Sequence, residues 1–438
     1  MRNIVCAAAV LFIGLYLVKP VPGEADSIPP PIVDVSSCAV PAGEGDTLPP
    51  PDNPYDQLPY FDSYSWRAFT ALICDANPAS RGRPDAGAGR DGQGVRVFET
   101  FKSAWELYHS GPVIRDWGHY VDQSHNPCPT ASPGELVLAS TSRWIDTNLS
   151  DENGDPSGPL PAQNGTYVHY LTQYNEISFN YAADVLLGHV QGSITFPDRS
   201  VVIKSAWVET AGIDNKIQFH KRKAWVPTST STCKNVEVGL VGLHIAQKTH
   251  RRPFWIWSTF EHVNNAPDAG SQCGAKCGPF IFNKLDQQKM PSAPERNPPF
   301  SPAANIYNVE RAWHLVNVRT QDMNAKYWKE LGANSKWAKY ELVMTNWTFK
   351  PTTPGNAGEI ANTFPTAEVN SAYANTAMET FFQNKMSCLA CHVNAVESDF
   401  MWSLKIEPQH SRERALQQLK RLTEGAGVPW YSPTLQKR

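Results

Sequence analysis

Cys388-Leu389-Ala390-Cys391-His392 sets two thiols three residues apart and an imidazole directly after the second. On one helical turn, positions i and i+3 share a face, so both sulfurs can reach the two vinyl groups of one haem. The adjacent imidazole then presents itself to the iron. The spacing predicts one covalently held haem, with Cys388 and Cys391 as thioether residues and His392 as proximal iron ligand. A redox dithiol and a zinc half-site use the same residue types. The dithiol belongs in a βαβ setting that the surrounding sequence lacks, and zinc needs two further ligands.

The sixth iron position has several candidates. Met401, the one methionine downstream of the motif, supplies a thioether if the chain folds back sharply, or covers the haem edge as one apolar residue of Phe400-Met401-Trp402. His410 is a second candidate, at a helix start. A histidine from the rest of the chain is a third, and a site left open to a small molecule is the fourth. Met401 is placed first and the open site second.

The flanks of the motif are read as helical. Ala374, Met378, Phe381 and Phe382 form an apolar stripe before it. After it, His410 to Glu424 carries Leu416, Leu419 and Leu422 on one side and ends at Gly425. This plan resembles class I cytochromes c, in which two helices and the attachment motif enclose the haem. It departs from them in the short stretch after His392, which cuts away the usual segment bearing a distant methionine.

Upstream, the chain reads as strands. Val201 to Glu209, Ile217 to Val226, Val236 to Lys248 and Phe254 to Val263 are rich in β-branched and aromatic residues between turn signals, and 340 to 350 suggests one more. Leu240 to Lys248 and Pro253 to Glu261 look like a hairpin turning at Thr249 to Arg252. Alternation gives it a core face (Val241, Leu243, Ile245, Phe254, Ile256, Phe260) and a second face (His244, Lys248, Trp255, Trp257, Thr259, Glu261). A register symmetric about the turn sets His244 opposite Trp257, with Glu261 farther along. This second face is a wall for haem or substrate, a half-exposed sheet surface with satisfied polar groups, or a domain interface. The run Gly239-Leu240-Val241-Gly242-Leu243-His244-Ile245, with Trp257-Ser258-Thr259-Phe260-Glu261-His262, is similar to large exported bacterial proteins of the cytochrome c family. That resemblance implies one covalent haem and a large accessory domain, and it brings no catalytic residue with it.

Two helical stretches precede the strands. One runs through Trp66, Phe69 and Leu72 to Cys74, the other from Val97 to Tyr108. Residues 81 to 95 and 145 to 165 read as loops. Asp146, Asn148 and Ser150 have the spacing of a calcium loop, but Asp151 stands where its glycine is needed. The sequons at Asn148, Asn164 and Asn346 are incidental in a bacterial protein. No dinucleotide, Walker, zincin or serine-hydrolase motif occurs.

With 41% hydrophobic and 11% aromatic residues, the 438-residue chain can bury a large core, and its 36 prolines and 28 glycines favour turns over long helices. A net charge of −3 gives no support for a nucleic-acid partner. Arg2, the apolar run Val5 to Val18 and small residues at 23 and 25 read as a secretory signal cut near Ala25. An uncleaved anchor is the alternative. Cys6 lies inside the run and not after it, against a lipoprotein. Cys38, Cys74, Cys128, Cys233, Cys273 and Cys277 then remain, an even number suited to disulfides, with the pairing open. Cys273 and Cys277 with His262 also make half a metal site, which the disulfide reading outweighs for want of a second ligand pair.

The expected fold class is α+β, a large β-rich domain followed by a small all-α cytochrome c-like haem segment. The boundaries are 1–25 signal peptide, 26–58 proline-rich lead-in, 59–365 accessory domain and 366–438 haem segment. The expected function is that of an exported monohaem c-type cytochrome, periplasmic or secreted. It exchanges electrons with a redox partner protein or a small-molecule donor or acceptor, without a membrane span after cleavage. The alternative is a haem-dependent oxidoreductase or ligand sensor with an open distal site, in which His244 or Glu261 assists proton transfer.

Overall fold

The long strand β6 (Cys233–Thr249) is the spine of one eight-stranded sheet. The structure, a computed structural model, describes residues 30–43, 54–108, 117–118, 128–138, 160–229, 232–250, 252–271, 278–285, 306, 308–312, 318–347, 374–383, 388 and 392–404. Along one edge of β6 runs β4 (Val201–Glu209), antiparallel from Val201↔Gln247 to Glu209↔Val238. Along the other edge β6 changes partner. Its first half pairs with β5 (Lys221–Pro227) and its second with β7 (Arg252–His262), both antiparallel. Beyond β4 lie β3 (His169–Tyr174) and the short β1 (Lys102–Ser103). Beyond β5 lies β2 (Leu136–Val137), parallel to it, and beyond β7 lies β8 (Tyr340–Asn346).

The fork where β5 hands over to β7 would leave backbone groups unpaired, a costly state for a buried segment. Tyr340 fills it. Its hydroxyl donates to the Leu240 carbonyl at 2.9 Å and accepts the His220 N–H at 3.1 Å.

Helices α1 (Pro54–Leu72) and α4 (Val318–Leu331) cover one face of the sheet. Trp66, Phe69 and Leu72, the stripe read from the sequence, are fully buried there against Leu243, Ile245, Phe260 and Leu342. Trp66 stacks on Tyr327 of α4 at 5.0 Å. The Val97–Tyr108 stretch, expected as one helix, divides into a 3₁₀ turn (Val97–Thr100), β1 and the short α2 (Ala104–Tyr108).

The other face carries α3 (Glu176–Leu186) and the described part of the tail, 374–404. Here the expected fold class is corrected. The described residues are mostly β with few helices, and among them no small all-α haem segment is shown. The described tail contains the 3₁₀ turns Thr380–Phe382, Val393–Ser398 and Trp402–Leu404, and Cys388 and His392 are in α-helical conformation. The described tail spends its apolar and polar groups on the sheet. At the head of the expected stripe, the Asn375 amide donates to Thr259 Oγ1 (3.0 Å) and the Phe260 carbonyl (2.7 Å). Thr376 donates its N–H and hydroxyl to Glu261. Ala374 and Met378 are buried as their apolar character requires, and the Glu379 N–H closes a single turn on the Asn375 carbonyl at 2.7 Å. The expected helix at 410–424 lies outside the described residues.

Among the described residues two disulfides are present, Cys38–Cys74, which ties the proline-rich lead-in to the end of α1, and Cys128–Cys233, which ties the 128–138 loop to the start of β6. Cys273, Cys277 and the expected signal sequence lie outside the described residues. Among the described residues no helix is long and apolar enough to cross a membrane.

Candidate functional site

The second face of the β6–β7 hairpin, offered by the sequence as a wall for haem or substrate, a half-exposed surface or a domain interface, is covered by the described part of the tail. Each of its six residues contacts the tail. Lys248 ion-pairs with Asp399, and the Trp255 indole N–H donates to the Asp399 carbonyl at 2.9 Å. Trp257 meets the ring of His392, Thr259 and Glu261 hold Asn375 and Thr376, and His244 approaches Glu379 at 3.3 Å. From β3, the Tyr170 hydroxyl donates to the Ala377 carbonyl at 2.8 Å and that of Tyr174 bonds Ser403. β6 can lie this close to the tail because position 242 is glycine. A Cβ there would stand 3.2 Å from Met378 Cε and 3.3 Å from Asn375 Oδ1.

The register differs from the symmetric one. Thr249 pairs with Arg252 as expected, but Gln247 pairs with Ile256, His244 with Thr259 and Ala246 with Trp257. A bulge gives β7 extra residues before Ile256 and turns Trp255 into the left-handed region at φ 71°. His244 and Trp257 therefore share a face diagonally and do not oppose each other. The same bulge brings Phe254, read as core of the first face, against Phe400, ring to ring at 5.6 Å.

His392 is the centre of the tail contact. Its ring lies 4.1 Å from the Trp257 ring at 41°, and Nδ1 is 2.6 Å from the Phe400 carbonyl. A carbonyl only accepts, so Nδ1 carries the proton and Nε2 keeps its lone pair. That tautomer is what an Nε2 metal ligand requires, and the carbonyl is the partner that fixes it. Burial draws the imidazole down to about 4, with Lys204 and His244 adding to the depression and the Phe400 hydrogen bond opposing it, so the ring is neutral. The carbonyl is aimed by two consecutive left-handed residues, Asp399 at φ 52° and Phe400 at φ 68°. For non-glycine residues this conformation is unfavourable and concentrates at functional sites. The strained Trp255 sits directly against them.

The remaining predicted residues fall as follows. Cys388 is half-buried beside Val343 and Met344, and Cys391 lies outside the described residues. Met401 is buried among Phe254, Trp255, Phe400 and Leu404. His410 is outside the described residues. Glu261 is fully buried, bonded to Thr376 and paired with Arg311, which also holds Glu341 at 3.2 Å. Burial works against the Arg311 charge, yet the two carboxylates outweigh it and hold the guanidinium above its ordinary value. Glu261 thereby anchors the tail. His262 is committed as well, with Nδ1 accepting from the Asn264 N–H (3.1 Å) and Nε2 donating to the Gln218 carbonyl (3.1 Å). It has no nitrogen left for a metal site with Cys273 and Cys277. Among the described residues no group of three or more His, Cys, Asp or Glu stands together as a bare-metal site.

Sequence reasoning missed Lys204, Glu379, Asp399 and Phe400. Lys204 carried a signal, a lone cation inside Val201-Val202-Ile203-Lys204-Ser205-Ala206-Trp207, which pairs with His244 in β6. The Phe400 carbonyl carried none, since any residue has one. The comparisons with known proteins return no matching family model, no matching curated protein and no matching solved structure.

Proposed function

We propose that this chain is an exported monohaem c-type cytochrome that passes electrons to or from a redox partner, a protein or a small molecule. The observation that carries the reading is the state of His392. It directly follows the Cys-x-x-Cys pair, rests on Trp257, spends Nδ1–H on a backbone carbonyl and keeps Nε2 for a metal. A second observation fits the same group. His244 Nε2, on the wall beside it, is buried without a hydrogen-bond partner.

Cys388 and Cys391 would hold the porphyrin as thioethers, each S–H adding across a vinyl group so that sulfur bonds one carbon and hydrogen the other. The haem would supply reversible one-electron chemistry at iron. The chain's own part is positional and electrostatic. Trp257 limits rotation of the His392 ring, and the Phe400 carbonyl raises its basicity. The apolar cluster of Phe254, Phe400, Met401 and Leu404 keeps water off that side, which disfavours added charge on the metal. Export is supported by the N-terminal apolar run and by two disulfides, which persist in oxidising compartments such as the periplasm or the extracellular medium.

The test is the intact mass and solvent behaviour of protein exported by a host with c-type maturation. One haem is expected on the mass, and the red colour stays with the polypeptide in acidified organic solvent. The Cys388→Ser/Cys391→Ser variant releases it. Colour that leaves the wild-type chain, or a mass without haem, ends the proposal.

A further inference from the structure

We infer that the sheet supplies the second axial ligand, His244, to the iron that His392 holds. This assignment rests on the haem reading above and names which residue completes that site. The starting point is an unmet demand. Buried polar atoms almost always have a partner, and one that does not calls for an explanation. His244 Nε2 is such an atom. The nearest carboxylate oxygen, Glu379 Oε2, stands 3.3 Å away without hydrogen-bond alignment, and it accepts the Asn375 N–H at 3.0 Å.

Position supports the same assignment. His244 pairs with Thr259, one pleat from the Ala246–Trp257 pair on which His392 rests. The two imidazoles thus stand at the same patch of sheet. A central strand with neighbours on both edges gives His244 a fixed backbone, which a metal ligand needs. The Glu379 carboxylate beside it offsets the positive charge of a ferric centre.

Met401 makes the instructive contrast. Its thioether is packed among Phe254, Trp255, Phe400 and Leu404 and is 3% exposed. An apolar side chain in an apolar cluster lacks nothing, whereas a buried imidazole nitrogen with only an unaligned carboxylate at 3.3 Å lacks a hydrogen bond. Nearby, Lys204 pairs across the sheet with His244, so a cation also faces this site.

The experiment compares wild type, His244→Ala, His244→Met and Met401→Leu, all matured with haem in an exporting host. Intact mass first establishes covalent haem, a readout that belongs to the haem reading alone. Electron paramagnetic resonance and optical spectra of the ferric proteins then report the axial ligands. The wild type is expected to be low-spin with two nitrogen ligands and to lack the weak far-red band of iron–thioether ligation. His244→Ala is expected to become high-spin and to return to low-spin when imidazole is added. His244→Met is expected to gain the far-red band, which keeps the test open where the alanine variant does not fold. Met401→Leu is expected to match wild type. A far-red band in wild type that Met401→Leu removes overturns the assignment. So does a wild type that is already high-spin, or a His244→Ala spectrum that stays low-spin without imidazole. A wild type without haem on its mass removes both readings together.

Discussion

Lys248 of β6 and Asp399 of the tail, 151 residues apart in sequence, form an ion pair with both side chains out of water, at 2% and 6% exposure. The Asp399 carboxylate also accepts the Phe196 N–H at 2.7 Å. Burial pushes its pKa up to about 6 against the pull of Lys248, and burial likewise lowers that of Lys248. Desolvation thus takes back much of what the pair gains, as is usual for charges in a protein interior. The pair acts as a fastener for the tail more than as a source of net stability.

That distinction is measurable. Lys248→Met leaves an uncompensated carboxylate and is expected to lower unfolding stability by about 3–5 kcal/mol. Lys248→Met with Asp399→Leu is expected to recover most of the loss, since neither charge is then buried. Denaturant midpoints of the two singles and the double, read as a cycle, give the coupling. Single variants within about 0.5 kcal/mol of wild type would show that the contact carries no weight.

His262 makes stability depend on acid. It is fully buried between the rings of Phe219 and Tyr340, with both nitrogens bonded in the neutral form, and burial lowers its pKa to about 4. The unfolded chain takes up this proton near pH 6.5 and the folded chain only near pH 4, so between these values the unfolded state binds more. The contribution is therefore whole above pH 6.5 and falls as pH drops toward 4, by up to about 3 kcal/mol. Urea midpoints at pH 7 and pH 4.5 should fall less steeply for His262→Gln than for wild type. Equal slopes would remove His262 as the cause.

Much of this architecture is legible in the chain, and the exceptions have physical reasons. Val201 to Glu209 is found at the residues read from sequence, because its β-branched run is bounded by turn residues on both sides. The hairpin was legible as a hairpin but its register was not, because a bulge changes the pairing without changing the alternation around it. Pro253 was the available sign, since a residue with no N–H marks where a ladder breaks. α4 was not read from the sequence, because Thr320, Met323 and Tyr327, at helical spacing before Gly332, are hidden among many polar neighbours. The two-residue β1 and β2 have too few residues to show any period. At the site, Cys388, Cys391 and His392 announce themselves by spacing. Their surroundings depend on where a tail more than a hundred residues downstream lands on the sheet, which no local pattern encodes.

The two disulfides close loops of different length, 36 and 105 residues apart in sequence. If their main effect is on the unfolded chain, loop-closure entropy assigns about 4 kcal/mol to Cys38–Cys74 and about 5 to Cys128–Cys233. Replacing each pair by serine should destabilise the protein in that order, the 128–233 pair more. Thermal unfolding of both variants checks it. A reversed order would mean that the short loop is valued for its contacts, since Val33, Val35 and Val40 of the lead-in pack against the core beside Cys38.

Gly242 decides whether the tail can seat at all. A Cβ there meets Met378 Cε at 3.2 Å, the far end of a flexible side chain that can move aside. It also meets Asn375 Oδ1 at 3.3 Å, and Asn375 cannot yield as easily, because its amide is bonded to both Thr259 and the Phe260 carbonyl. Gly242→Ala is therefore expected to cost about 1 kcal/mol, and Gly242→Leu about 1–3 kcal/mol or the seat itself. The sheet's other face, with Leu243, Ile245 and Phe260 packed on α1, is untouched by this change and should keep its circular dichroism. The sensitive measurement is limited proteolysis, in which the leucine variant should be cut between 374 and 404 at least several-fold faster than wild type. Equal cutting rates with an unchanged unfolding midpoint would mean that the tail does not rest on β6, and the wall beneath His392 would have to be sought elsewhere.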